Sequence, residues 1–158
     1  MAEPGADILV VGRRDLASPA VRAPLEEAGH RVRAEPDGLA ALAALRRRLP
    51  DVVVTEWELP RLDGLGLCLA IRADAELAGT HVILMTSADN SQRVVEALEA
   101  GADDYLAAPF ERAELLARVR TGRRTAQLRA SEARLRALMP TFPARSTGAP
   151  PTATGRWS

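Results

Sequence analysis

Short runs rich in Val, Ile and Leu recur along this chain, and a segment of helical periodicity follows each one. Residues 8–11, 51–55, 81–85 and 104–107 read as buried strands, with 31–34 a weaker one. The helical stretches fall at 19–28, 37–48, 64–74, 90–100 and 111–138. Strands that are apolar on both faces belong to a covered sheet, and parallel neighbours need crossovers of the length these helices supply. The pattern therefore predicts an α/β fold, a five-stranded doubly wound parallel sheet with an extended C-terminal helix. Ligand and reaction sites in such sheets lie at the carboxyl ends of the strands, beside the switch in strand order.

Local signals agree with this division. Asp37-Gly38 and Asn90-Ser91 suit helix starts, Gly29 and Gly101 suit helix stops, and Leu59-Pro60 with Asp63-Gly64 marks a loop after the third strand. Ser18-Pro19 suits the start of the first helix, but Pro24 falls more than a turn further in, where it removes a backbone hydrogen bond; a short or kinked helix is expected. The single cysteine, Cys68, lies in an apolar run and reads as a small buried hydrophobe. All 21 basic residues are Arg, so no chemistry that needs a lysine amine is available. Apolar stretches such as 39–45 fall short of the roughly 20 residues of a membrane span, and residues 1–7 lack the regions of a signal peptide. No membrane partner and a cytoplasmic location are expected.

Charge is unevenly spread. Residues 1–114 hold 12 Arg against 20 acidic side chains, whereas residues 115–158 hold 9 Arg against Glu132 alone. After Met139, Pro140, Pro143, Pro150 and Pro151 alternate with small polar residues, a mixture that buries too little apolar surface to offset chain entropy. The expected organisation is a domain over 1–121, a basic helical extension over 122–139 and a disordered tail over 140–158.

The side chains just past the strands should converge: Gly12 and Arg13, Glu56, Thr86 and Ser87, and Ala108 before Pro109. The segments ILVV at 8–11, PDVVVTEWELPRLDG at 50–64, VILMTSA at 82–88 and GADDYLAAPF at 101–110 resemble, in order and spacing, the receiver (CheY-like) domain of bacterial two-component response regulators, a flavodoxin-like fold. In that family an acidic pair after the first strand binds Mg²⁺ and an aspartate after the third strand accepts phosphate from a histidine kinase. A hydroxyl after the fourth strand contacts the phosphoryl group, and a lysine before a proline after the fifth strand pairs with it. Carried over by position, the acidic pair becomes Gly12 and Arg13, the phosphoacceptor becomes Glu56 and the lysine becomes Ala108. Thr86, the aromatic switch position Tyr105 and Pro109 keep the family's pattern.

Mg²⁺ prefers octahedral oxygen coordination with one or more carboxylates. A guanidinium at position 13 repels the ion, and without metal and lysine an incoming phosphoryl group loses two counter-charges. The expectation from these substitutions is a degenerate receiver that binds no Mg²⁺, has lost aspartyl phosphorylation, is no enzyme, and acts as a protein interaction module in signalling. Its expected partner is a signalling protein, or a second copy in a homodimer, on the face of the fourth helix, fifth strand and fifth helix that receiver domains use. Glu56 then either imitates the phosphorylated state or is drift, paired with Arg13 or Arg14. Two alternatives stand beside it: a phosphorylation-dependent phosphorelay receiver with a rearranged pocket, and nucleic-acid binding through the Arg-rich helix.

The other polar candidates read as structural. Asp15 suits capping a turn beside Leu16 better than replacing a metal ligand, His30 and His81 read as surface or satisfied residues, and Glu58 as a solvent-facing loop residue. Trp57 reads as either a packed loop residue or an exposed contact at the pocket mouth. In the last helix Leu128, Ser131, Leu135 and Leu138 fit a short a/d seam, which makes Leu128, Leu135 and Leu138 an interaction stripe. The arginines circle the helix without aromatic residues for stacking, so nucleic acid is not an expected partner.

Overall fold

The computed structural model describes residues 5–13, 18–87 and 91–138, without the side chains of 18, 19 and 91. Elements alternate along the chain: β1 (Asp7–Val11), a π-helical turn (Ser18–Arg22) running into α1 (Ala23–Glu27), β2 (Arg31–Glu35), α2 (Gly38–Arg47), β3 (Val52–Glu56), α3 (Gly64–Ala73), β4 (His81–Thr86), α4 (Ser91–Ala100), β5 (Asp104–Ala107) and α5 (Arg112–Leu138). The strands form one parallel sheet in the order β2-β1-β3-β4-β5. The expected doubly wound fold with a long last helix is what the chain adopts, with boundaries shifted by a residue or two.

Alternation along the strands divides the core. Leu9, Val11, Val53, Val82 and Leu84 face α2, α3 and α4, while Ile8, Val10, Val52, Val54, Ile83 and Leu106 face α1 and α5. Both faces are dry, which is why these strands read as continuous apolar runs. β2 is the exception: it is an edge strand with Arg31 exposed and Arg33 paired to Asp7 at 3.5 Å, so its sequence signal is diluted by charge. Cys68 is buried, and burial pushes its thiol up to about 11.

The helix ends follow local chemistry. The Asp37 carboxylate accepts the Ala40 N–H at 2.8 Å and the Asp63 carboxylate accepts the Gly66 N–H at 2.8 Å, capping α2 and α3. Gly29 and Gly101 follow α1 and α4 at φ +97° and +101°, the left-handed region that glycine enters without strain. Pro24 sits at the start of α1, where its missing N–H costs nothing, and the turn before it opens to π geometry; this is the expected kink. Asn90, Asp15, Leu16, Arg14 and residues 139–158, on which several expectations fall, lie outside the described residues.

A polar clasp closes the amino end of the sheet. The Arg72 guanidinium donates to the carbonyls of Ala78 and Thr80, each at 2.7 Å, to that of Gly101 at 2.8 Å and to the Asp103 carboxylate at 2.6 Å. Asp103 also accepts the Val82 N–H at 2.9 Å and Arg129 of α5 at 2.7 Å. Burial opposes its charge, but Arg129, the Val82 N–H and Arg72 together hold its carboxyl below the usual range. Gly122 and Arg123 are buried as well, so α5 lies on the domain well past residue 121. Further out, Leu128, Leu135 and Leu138 are 63%, 61% and 82% exposed.

The histidines differ from each other. His30 is satisfied as expected, its Nδ1 accepting the Ala6 N–H at 3.0 Å. His81 is neither at the surface nor satisfied: it is buried against Gly122, neither ring nitrogen has a hydrogen-bond partner among the described residues, and Asp103 Oδ2 stands 3.6 Å from Nδ1. The expectation for His81 failed because its environment is made by α5, remote in sequence. Burial holds its imidazole below the ordinary value, with Asp103 opposing and Arg129 reinforcing the shift.

Candidate functional site

Parallel register brings the carboxyl ends of β1, β3, β4 and β5 to one edge: Val11 is level with Thr55, Glu56 with Met85, and Thr86 with Ala107. Past them opens a cleft of about 190 Å³, lined among others by Arg13, Glu56, Thr86, Ser87 and Ala108, with Val21, Met85 and Phe110 as apolar wall. The expected convergence is therefore present for Arg13, Glu56, Thr86, Ser87 and Ala108, while Gly12, just past β1, lies against the Glu56 side chain.

Glu56 is half-buried, and its side chain lies across Gly12. A Cβ built on Gly12 would stand 2.7 Å from Glu56 Oε2 and 2.8 Å from its Cδ. The two residues, far apart in the chain, are thus one arrangement: the glycine leaves the space that the longer carboxylate fills. Desolvation raises the Glu56 pKa, while the backbone N–H it accepts from Arg13 and that residue's positive charge pull it back.

Thr86 is buried at the end of β4, and Tyr105 is half-buried and packs against the core. Ala108 is partly buried and Pro109 exposed, joined by a cis peptide. Trp57 is 7% exposed, which settles it as a packed residue. Its amide donates to the Met85 carbonyl at 2.9 Å, and its ring carries the Arg93 guanidinium 4.7 Å from the centroid.

Arg93 is the residue that the sequence reading missed. From the first turn of α4 its Nη1 stands 3.5 Å from the Thr86 hydroxyl and 3.7 Å from Glu58 Oε1. Glu58 is exposed as expected, but it helps hold this cation against the cleft lining. The available signal was a lone Arg seven positions past Thr86, on the first turn of the next helix; its partners come from the end of β4 and the loop after β3, which spacing does not reveal.

The donor set bears on metal binding. Among the described residues no group of three or more His, Cys, Asp and Glu gathers to hold a metal ion. Among the described residues two carboxylates line the cleft, Glu56 and the exposed Glu58, beside the Arg13 guanidinium, and an octahedral Mg²⁺ does not fit that set.

A doubly wound parallel sheet with a cleft at its carboxyl edge is the architecture of signal receivers and of several nucleotide-binding proteins. The chain belongs to the response regulator receiver domain family, whose model matches residues 8–120. It is 41% identical over 113 residues to the transcriptional regulatory protein CseB of Streptomyces avermitilis, covering 72% of this chain and 47% of CseB. It is 42% identical over 84 residues to the DNA-binding response regulator MtrA of Mycolicibacterium paratuberculosis, covering 53% of this chain and 36% of MtrA. Among solved structures it resembles the receiver domain of the sensor histidine kinase PA1611 of Pseudomonas aeruginosa, which has magnesium coordinated in its active-site cleft, at TM-score 0.68 and 32% identity over 78% of this chain and 98% of that one. The chain spans about half the length of the curated relatives it matches.

Two expectations are corrected by these relatives. The reading of a phosphorylation-dead interaction module does not stand against a family match and relatives named as a transcriptional regulatory protein and a DNA-binding response regulator. Its physical weakness is local: it scored Gly12 and Glu56 as separate losses, where the structure makes them one fitted pair, and it left Arg93 out of the charge balance. Setting nucleic acid aside is likewise overturned by relatives whose names carry DNA binding. That expectation judged the basic helix alone and ignored what a receiver is coupled to. No helix among the described residues is long and apolar enough to cross a membrane.

Proposed function

We propose that this chain is the phosphoryl-accepting receiver of a response regulator that acts on DNA-directed output, working through a rearranged pocket in which Glu56 stands in the acceptor position. The observation that carries this is the Gly12–Glu56 fit. A carboxylate one methylene longer than aspartate reaches over the space a side chain at position 12 would take, and the Arg13 N–H receives it there. An abandoned site has no reason to keep that complementarity beside a buried threonine and a cleft. The family match and the relatives named for transcriptional regulation and DNA binding support the same reading.

In this reading Glu56 attacks as the ionised carboxylate, Thr86 lines the far wall, and Tyr105 and Pro109 belong to the neighbouring strand end that senses the change. The receiver takes in α5 past residue 121, and the exposed far end of that helix carries its state outward. The chain is an acceptor rather than a turnover catalyst. Incubation of the full chain with acetyl phosphate, followed by intact mass measurement, tests the reading. A gain of one phosphoryl group that Glu56→Gln abolishes supports it, and no gain in the parent chain refutes it.

A further inference from the structure

The counter-charge for a phosphoryl group in this cleft has to come from somewhere other than a metal and a lysine. A phosphoryl group brings close to two negative charges, beside the one on Glu56. Position 108 is alanine, and among the described residues the carboxylates around the cleft do not make a Mg²⁺ site. Two guanidinium groups flank the space instead. Arg13 lines the cleft on the β1 side. Arg93 stands against the cleft lining from α4, 3.5 Å from the hydroxyl of Thr86, and is held between Glu58 at 3.7 Å and the Trp57 ring at 4.7 Å.

We infer that Arg93 and Arg13 form a metal-independent oxyanion clamp, Arg93 contacting the phosphoryl oxygens from the Thr86 side and Arg13 from the β1 side. The inference rests on the reading of Glu56 as acceptor. Guanidinium groups stay charged at any working pH and offer forked donors that match phosphoryl oxygens. Val21, Met85 and Phe110 wall the cleft with apolar surface, which strengthens charge pairing inside it. Arg93 has a further advantage over a mobile surface cation. Its side chain is 28% exposed and already held against three residues of the cleft lining, Thr86, Trp57 and Glu58, so little ordering is needed when the anion arrives.

The step balances without a redox partner or metal. With acetyl phosphate as donor, a Glu56 carboxylate oxygen forms a bond to phosphorus, the bond from phosphorus to the acetate oxygen breaks, and acetate leaves with that electron pair. The product is an acyl phosphate on Glu56, and the clamp neutralises its oxygens.

The test uses the full chain with Trp157→Phe, so that Trp57 is its one tryptophan. Acetyl phosphate is supplied either with Mg²⁺ or with EDTA, and the labelling rate and Trp57 emission are followed together. The inference predicts labelling in EDTA within a few-fold of that in Mg²⁺. It also predicts a change in Trp57 emission as Arg93 shifts from the ring toward the phosphoryl group. Arg93→Ala should slow labelling about a hundredfold, the scale of losing one preorganised charge donor, and Arg93→Lys should restore part of it. Should Arg93→Ala fail to fold by thermal melting, Arg93→Gln carries the same comparison with a polar side chain kept and the charge removed. Labelling that requires Mg²⁺, or that is indifferent to Arg93, overturns the clamp and leaves Glu56 phosphorylation standing. No labelling in either condition overturns both.

Discussion

Gly122 offers a sharp test because two physical effects pull in opposite directions there. It lies inside α5, where replacing glycine by alanine ordinarily gains about 1 kcal/mol of helix stability. A Cβ at this position would stand 2.5 Å from His81 Cδ2 and 3.0 Å from both Cγ and Nε2. The imidazole cannot swing aside, being buried at 4% exposure, and α5 cannot lift, since Leu115 and Val119 pack in the core and Arg129 is bonded to Asp103 at 2.7 Å. Overpacking of this kind costs about 1–3 kcal/mol. Gly122→Ala should therefore destabilise by about 1 kcal/mol net, lowering Tm by roughly 4 °C for a domain of this size. In a His81→Ala background the obstruction is gone, and the same substitution should stabilise by about 1 kcal/mol. Urea unfolding of the four proteins gives the cycle, with an expected coupling of about 2 kcal/mol. A rise in stability on Gly122→Ala with His81 in place would refute the packing argument.

Further outcomes follow from the titratable groups. His81 is held neutral by burial, so in the window below 6.5 the unfolded chain binds the proton that the folded chain refuses; stability is complete above that window and falls as pH falls through it. His30 shifts in the same direction, chiefly by burial and then by Arg123 and Arg120, so urea midpoints between about pH 7.5 and 5.5 should drop, with a shallower slope in His81→Leu. Asp103→Asn removes the charge between Arg72 and Arg129, both of which sit against the domain, and should cost about 2 kcal/mol by urea unfolding. Glu56 carries a raised pKa, so its ionisation weakens the fold as pH rises through the window above 4.5. Glu56→Gln should accordingly raise Tm at neutral pH and have no such effect at about pH 4, a comparison that differential scanning calorimetry makes directly.

Much of the fold was legible because β1, β3 and β4 are buried on both faces and carry little but Val, Ile, Leu and Met. β2 was faint for the matching reason, since its edge position admits Arg31, Arg33 and Glu35. The strand-end positions were readable from topology alone, which placed Glu56, Thr86 and Ala108 at one edge before any contact was known. What spacing could not show is complementarity between distant segments. Gly12 looked like a missing acidic residue, whereas its lack of a side chain makes room for Glu56. Nothing in the spacing gives Gly122 a partner, whereas in the structure it is the contact that seats α5 on His81. Arg72 drew no notice because its work is with backbone carbonyls of Ala78, Thr80 and Gly101, which carry no residue signature.

The central claim is that Glu56 receives the phosphoryl group, and localising the label tests it most directly. Cleavage after Arg48 and Arg61 releases residues 49–61, which carry Glu56 together with Asp51 and Glu58. Tandem mass spectrometry of the acetyl phosphate-treated chain under mildly acidic conditions should find the phosphoryl group on Glu56 within that segment, labile to hydroxylamine as an acyl phosphate is. A label on any other residue, or none at all, would contradict the account.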